Sequence, residues 1–231
     1  MLKYNDNTIN DCYNDGSELK KIYYHNAVCY YKLSSTPPTP PLPYDAQVEY
    51  LESSGSQYIN TGVYLNTSNF EIGCSVADTY CLWGYCHQNV ANGTWLSIEC
   101  TSSQKTAFFG RFGSNYMVNM TSYIQSSGNT FVYKQNGITV NGTTIPKSLS
   151  IGSDSIANVP LIFFGRYDFN KRGVEWFDYN KFKSFYVKNN NELVVDMIPV
   201  RIGQVGYMYD RVSGQLFSNA GTGQFILGPD V

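Results

Sequence analysis

Hydrophobic and polar positions alternate along most of this chain with the period of a β-strand. In "NFEIGCSVA" (69–77) the residues Phe70, Ile72, Cys74 and Val76 share one face while Glu71, Gly73 and Ser75 share the other. That alternation predicts a strand with a core side and a solvent side. "TFVYKQNGITVNGTTI" sets two Asn-Gly pairs, Asn136-Gly137 and Asn141-Gly142, between three β-rich runs, which predicts a meander of two hairpins. "FKSFYVKNNNELVVDMIPV" repeats the logic, with Asn189 to Asn191 as the turn between a strand around Phe185 and one around Val195. Two further segments echo each other, "AFFGRFG" (107–113) and "IFFGRYD" (162–168). Each reads as a buried strand, a glycine that permits a bulge (Gly110, Gly165) and an arginine at the strand end (Arg111, Arg166). Strand, glycine, charge is also a common β pattern, so a shared role for the two arginines is not preferred over the plain reading.

Such signals recur every ~8 to 12 residues from Tyr44 to Val231, with no amphipathic helix among them. The expected fold is all-β: an antiparallel two-sheet jelly-roll sandwich over 44–231, preceded by a smaller module. In residues 1–34 the run "KIYYHNAVCYYKL" flanks His25-Asn26-Ala27 with short apolar stretches and predicts a β-hairpin. A piece that small rarely buries enough surface to stand alone, so Ile22, Tyr23, Tyr24, Val28, Tyr30 and Tyr31 are its candidate docking residues. Between the two parts, "STPPTPPLP" (35–43) holds five of the nine prolines and predicts a semi-rigid polyproline II spacer.

Composition agrees with strands: in 231 residues charged side chains make up 15% and aromatics 16%, with 20 tyrosines, 13 phenylalanines and 20 glycines. The 16 basic and 18 acidic residues are dispersed, net charge −2, which leaves no electrostatic footprint for nucleic acid. No apolar run approaches the ~20 residues of a membrane span, and "MLKYNDNTIN" has neither the basic end nor the apolar stretch of a Sec-type signal. The six cysteines lack any Cys-x-x-Cys pair; Cys81, Cys86 and His87 offer three ligands but not the paired spacing of zinc, so no metal is expected and the thiols read as small reduced apolar groups.

No catalytic residue emerges. A retaining glycosidase needs two facing carboxylates ~5 Å apart. The nearest pair here, Glu175 and Asp178, lies three apart on an extended segment and so points to opposite faces. His25 and His87 have no dyad context, and no nucleotide-binding glycine loop follows a strand. Sugar binding is better provided for. "YCLWGYCHQNVANGTW" gathers Trp83, Tyr85, Asn89, Asn92 and Trp95, rings that stack on pyranoses and amides that bond hydroxyls. The competing reading makes Trp83 and Trp95 core residues of consecutive strands, beside Leu82 and Leu96. The four Asn-x-Ser/Thr sequences, at Asn66, Asn92, Asn119 and Asn141, are expected by chance in a chain so rich in Asn and Thr.

"VEYLESSGSQYINTGVYLNTSNFEIGCSV" (48–76) resembles the opening of concanavalin A-like or laminin-G-like jelly-roll domains of gut bacteria and their phages, and "LVVDMIPVRIGQVGYMYDRVSGQLFSNAGTGQFILGPD" (193–230) resembles their closing segment. "LKYNDNTINDCYNDGSELKKIYYHNAVCYYKL" (2–33) resembles leader modules of phage fibre and virion proteins. These resemblances imply a non-enzymatic virion protein, a head or tail fibre or decoration subunit, made in the host cytoplasm and carried on the virion surface. Residues 1–34 would dock it to other virion proteins and the lectin-like sandwich would bind glycans or a host surface. They also imply a homo-oligomer, with the trimer among its candidate forms. No cofactor is implied beyond the structural calcium that some laminin-G-like domains hold at a loop of Asp residues. The alternative reading is a bacterial surface carbohydrate-binding or adhesion module.

Overall fold

A computed structural model describes residues 41–65, 69–86, 94–111, 117–149, 160–168, 171–175 and 179–231, together with the backbone of strands between Lys3 and Lys32; Tyr85, Cys86 and Arg111 are likewise described by backbone alone. The chain divides into two compact units, Met1–Leu42 and Pro43–Val231. In the first, Ser17–Tyr24 and Ala27–Lys32 form the expected hairpin, closed by the pair Tyr24 and Ala27. The hairpin gains a third strand, Asn10–Asn14, paired to Ser17–Tyr24 with Asn14 opposite Ser17. Register sets Tyr23 opposite Val28, Lys21 opposite Tyr30, Ile22 opposite Cys29 and Lys20 opposite Tyr31. With a period of two, the six docking positions therefore divide three and three between the two faces of this small sheet. Of the stretch expected to form polyproline II, 35–40 lie outside the described residues, and Pro41, Leu42 and Pro43 are exposed and belong to no strand or helix.

The larger unit is an all-β, jelly-roll-like sandwich. Its principal strands are β1 (Phe70–Val76), β2 (Cys81–Cys86), β3 (Thr94–Cys100), β4 (Lys105–Arg111), β5 (Met117–Asn119), β6 (Asn129–Lys134), β7 (Gly137–Val140), β8 (Thr143–Pro146), β9 (Ile162–Phe163), β10 (Arg166–Asp168), β11 (Lys181–Asn189), β12 (Glu192–Ile202) and β13 (Val205–Asp210). One sheet runs β5-β4-β3-β2-β9 and ends on Ile59–Asn60, with β10 attached to β2. The other runs β8-β7-β6-β1-β11-β12-β13 and ends on Leu216–Phe217. Among the described residues every pairing is antiparallel except that of β2 with β10.

The predicted alternation in β1 is realised: Phe70, Ile72, Cys74 and Val76 are buried between the sheets. Aromatic rings bridge the gap, Phe163 stacking on Phe185 at 4.4 Å and Phe109 on Tyr133 at 4.2 Å. Each such ring contributes ~2 to 3 kcal/mol of burial. The Tyr133 hydroxyl donates across to the Phe108 carbonyl at 2.7 Å, so its polar end is satisfied.

The meander appears as β6, β7 and β8. Asn141 and Gly142 have φ of 49° and 84°, the left-handed pair that a two-residue turn between right-twisted strands requires. At the other Asn-Gly pair the ladder joins Lys134 to Gly137, so the turn is Gln135-Asn136 and the glycine already belongs to β7. The Asn189–Asn191 turn also tightens: Asn189 pairs with Glu192, leaving Asn190 and Asn191 at φ 51° and 65°.

The two segments that carry the lectin resemblance close on each other. Leu51–Glu52 pairs with Ile226–Leu227, Val48 bridges Asp230, and Ala46–Gln47 pairs with β12. Arg201 clamps the end with two bonds to Asp230, Nε to Oδ1 at 2.7 Å and Nη2 to Oδ2 at 2.6 Å. No helix among the described residues is long and apolar enough to cross a membrane.

Candidate functional site

Alternation along β3 produces a second chemistry on the far side of its sheet. Leu96, Ile98 and Cys100 enter the main core, so Trp95, Ser97 and Glu99 project the other way, yet all seven residues of the strand are buried. Gly84 of β2 lies opposite Ser97. A Cβ there would come within 2.2 Å of the Leu96 carbonyl oxygen, and φ is +125°, so only glycine lets the two strands close together at this point.

Into this face β10 delivers Arg166, 1% exposed. Its guanidinium forms an ion pair with Glu99 through Nη1 and lies 4.7 Å from the Trp95 ring. The same Glu99 Oε1 accepts the Trp95 indole N–H at 3.0 Å and the Ser97 hydroxyl at 2.9 Å. Phe108 stacks on Trp95 with centroids 4.1 Å apart and planes 7° apart. Thr94 and Asp168 are buried with the group.

The chain reaches Arg166 through Phe164, whose φ of +67° is left-handed. That conformation costs a bulky residue ~1 to 3 kcal/mol. The bend turns the chain from antiparallel to parallel alongside β2. Gly165, the residue that looked like the bend in the sequence, follows this residue. The echo between the two strand-glycine-arginine segments places both in one sheet, on opposite sides of the β2–β3 pair.

Chemically, this cluster is a charge-compensated platform. Three donors converge on one carboxylate oxygen, which leaves Oε1 no room for a fourth, and the ion pair makes the face rigid. Sequence reasoning missed Glu99. Its signal is present in "TWLSIEC", where period two puts an indole, a hydroxyl and a carboxylate on one side of an otherwise apolar strand.

The two tryptophans expected at a sugar-binding rim are packing residues. Trp83 is fully buried in the main core, edge-to-face with Tyr133 at 5.3 Å. Its Nε1 has no hydrogen-bond partner among the described residues. Trp95, 8% exposed, is covered by Phe108 and Arg166. Neither offers the open ring face that a pyranose needs, because both stand on strands buried on the side to which they point. Tyr85 lies in β2 opposite Leu96, while Asn89 and Asn92 fall outside the described residues.

Cys81 meets Cys74 with sulfurs 3.6 Å apart, inside the core, and Cys100 is its cross-strand partner. Burial pushes the Cys81 thiol well up and the Cys100 thiol to about 12, so both behave as apolar groups. His87 lies outside the described residues, and among those described no group of three or more His, Cys, Asp or Glu could hold a metal ion. Glu175 forms an ion pair with Lys171, and Asp178 is outside the described residues. Comparison with known proteins returns no match to a family model, a curated protein or a solved structure.

Proposed function

We propose that this chain is a non-enzymatic phage virion protein, a head or tail fibre or decoration subunit that docks by its N-terminal unit and displays the sandwich to bind glycans on a host or mucosal surface. The observation that carries this reading is the division of the chain: a three-stranded sheet, too small to bury much surface by itself, joined through a proline-rich segment to a complete sandwich. An attachment piece, a spacer and a binding domain is an order suited to display. The resemblance of 48–76 and 193–230 to lectin-like jelly rolls supports the binding half, and the two segments lie paired in the fold. The N-terminal unit's need for a partner surface favours assembly as a homo-oligomer on the particle.

Two measurements test the reading. Deleting residues 1–34 should abolish incorporation into virions while the secreted or purified sandwich remains folded. Normal incorporation of the deleted form would end the docking assignment, and a full-length oligomer that retains no glycan on an array would end the binding assignment.

A further inference from the structure

At one end of the larger sheet, three neighbouring strands finish on the same residue type. Asn69 immediately precedes β1, Asn136 sits in the turn after β6 and Asn191 in the turn after β11; these strands lie side by side in the order β6-β1-β11. The three asparagines, with Phe70, Glu71, Lys134 and Gln135, line a hollow of about 300 Å³. All three are exposed, and their side-chain amides make no hydrogen bond to a described residue. This distinguishes them from Asn129 and Asn141, whose amides are spent on the fold: Asn141 donates to Asn129 at 2.8 Å and to the Tyr123 carbonyl at 2.9 Å.

The floor of the hollow is built in register. Glu71 is the direct cross-strand partner of both Lys134 and Lys188. Its carboxylate accepts from Lys134 at 2.8 Å, Lys188 at 3.0 Å and the Tyr186 hydroxyl at 2.7 Å. Burial alone would raise the Glu71 carboxyl; hydrogen bonds from Lys134, Tyr186 and Lys188 outweigh it and hold it at about 2. Glu71, which lines the hollow with Lys134, is thus saturated by its three donors, and the two lysines that share it leave one positive charge in excess. Tyr64, 53% exposed, is tied to the same region through its carbonyl, which accepts from Asn189 at 3.3 Å.

Unengaged amides pair a donor with an acceptor and match the vicinal hydroxyls of an uncharged sugar, while both lysines beside them are already engaged by Glu71. We infer that the Asn69, Asn136 and Asn191 hollow is the glycan site of the sandwich and that it takes a neutral sugar residue. The inference deepens the glycan-binding reading above and rests on it. The hollow suits a single ring, at the small end of ligand sites.

The test is an array of immobilised neutral hexoses, N-acetylhexosamines, uronic acids and sialic acids, probed with full-length protein and with N136A/N191G, in which glycine keeps the left-handed backbone at 191. The expected result is retention on neutral sugars, weakened about tenfold or more in the variant with an unchanged melting temperature, as two lost hydrogen bonds require. Unchanged binding by the variant overturns the site while leaving the glycan reading intact. Binding confined to the acidic sugars overturns the neutral assignment. A wild-type protein that binds no sugar ends the reading and the inference together.

Discussion

Glu71 shows how one residue acts in two capacities. It is a solvent-side position of an alternating strand, and it joins three strands through Lys134, Lys188 and Tyr186. Tyr186 can lie there because Gly73 has no side chain; a Cβ at 73 would fall 1.9 Å from the tyrosine ring. Because the folded carboxyl is held at about 2, below its ordinary 4.5, Glu71 stabilises the fold above the higher value. That contribution fades as pH falls from about 4.5 to about 2. A pH series of urea melts should show this acid limb shallower in E71Q than in wild type. Asn129 is the other residue with large leverage. It is 1% exposed; its Nδ2 donates to the carbonyls of Asp78 and Gln125, and its Oδ1 accepts from the Gln125 amide and from Asn141. N129A removes all four bonds, and chemical denaturation should record a loss of about 3 kcal/mol.

Among the elements, β3 is decisive because it is buried on both faces. Its Glu99 needs Arg166 from a segment 67 positions away. R166M leaves the carboxylate uncompensated and should cost about 3 to 5 kcal/mol, whereas E99M/R166M should cost clearly less than the two single changes added together. A double-mutant cycle on urea unfolding measures the coupling. Across the same sheet, the Cys81 and Cys100 thiols are buried and shifted upward, so in the folded protein at pH 8 both should resist iodoacetamide and react only after denaturation. Mass spectrometry of labelled peptides reads this directly. The strands themselves were legible in the sequence. β1, the meander and the β11–β12 pair follow from period two and from Asn-rich turns, because local backbone preference and burial agree there. Register was less legible: the first Asn-Gly turn is offset by one residue, since the ladder rather than the turn dipeptide decides where a strand resumes.

At the scale of the whole molecule, two units meet different demands. The sandwich contains its own core and joins its opening and closing segments by pairing, so 43–231 expressed alone should unfold in one cooperative transition. Removing 222–231 should lower its melting temperature sharply, since Ile226–Leu227 and Asp230 hold Leu51–Glu52, Val48 and Arg201. Calorimetry distinguishes the two outcomes. From its sequence alone this chain is all-β, with a small hairpin module, a proline-rich segment and a large sandwich, because strand period, turn residues and proline act locally. Only the tertiary structure decided what the strands' outer faces hold. It took Trp83 and Trp95 into packing, set Glu99 against Arg166, and brought Asn69, Asn136 and Asn191 to one hollow. The physical reason is that burial, ion pairing and convergence are properties of neighbours in space, and in an antiparallel sandwich those neighbours come from strands far apart in the chain.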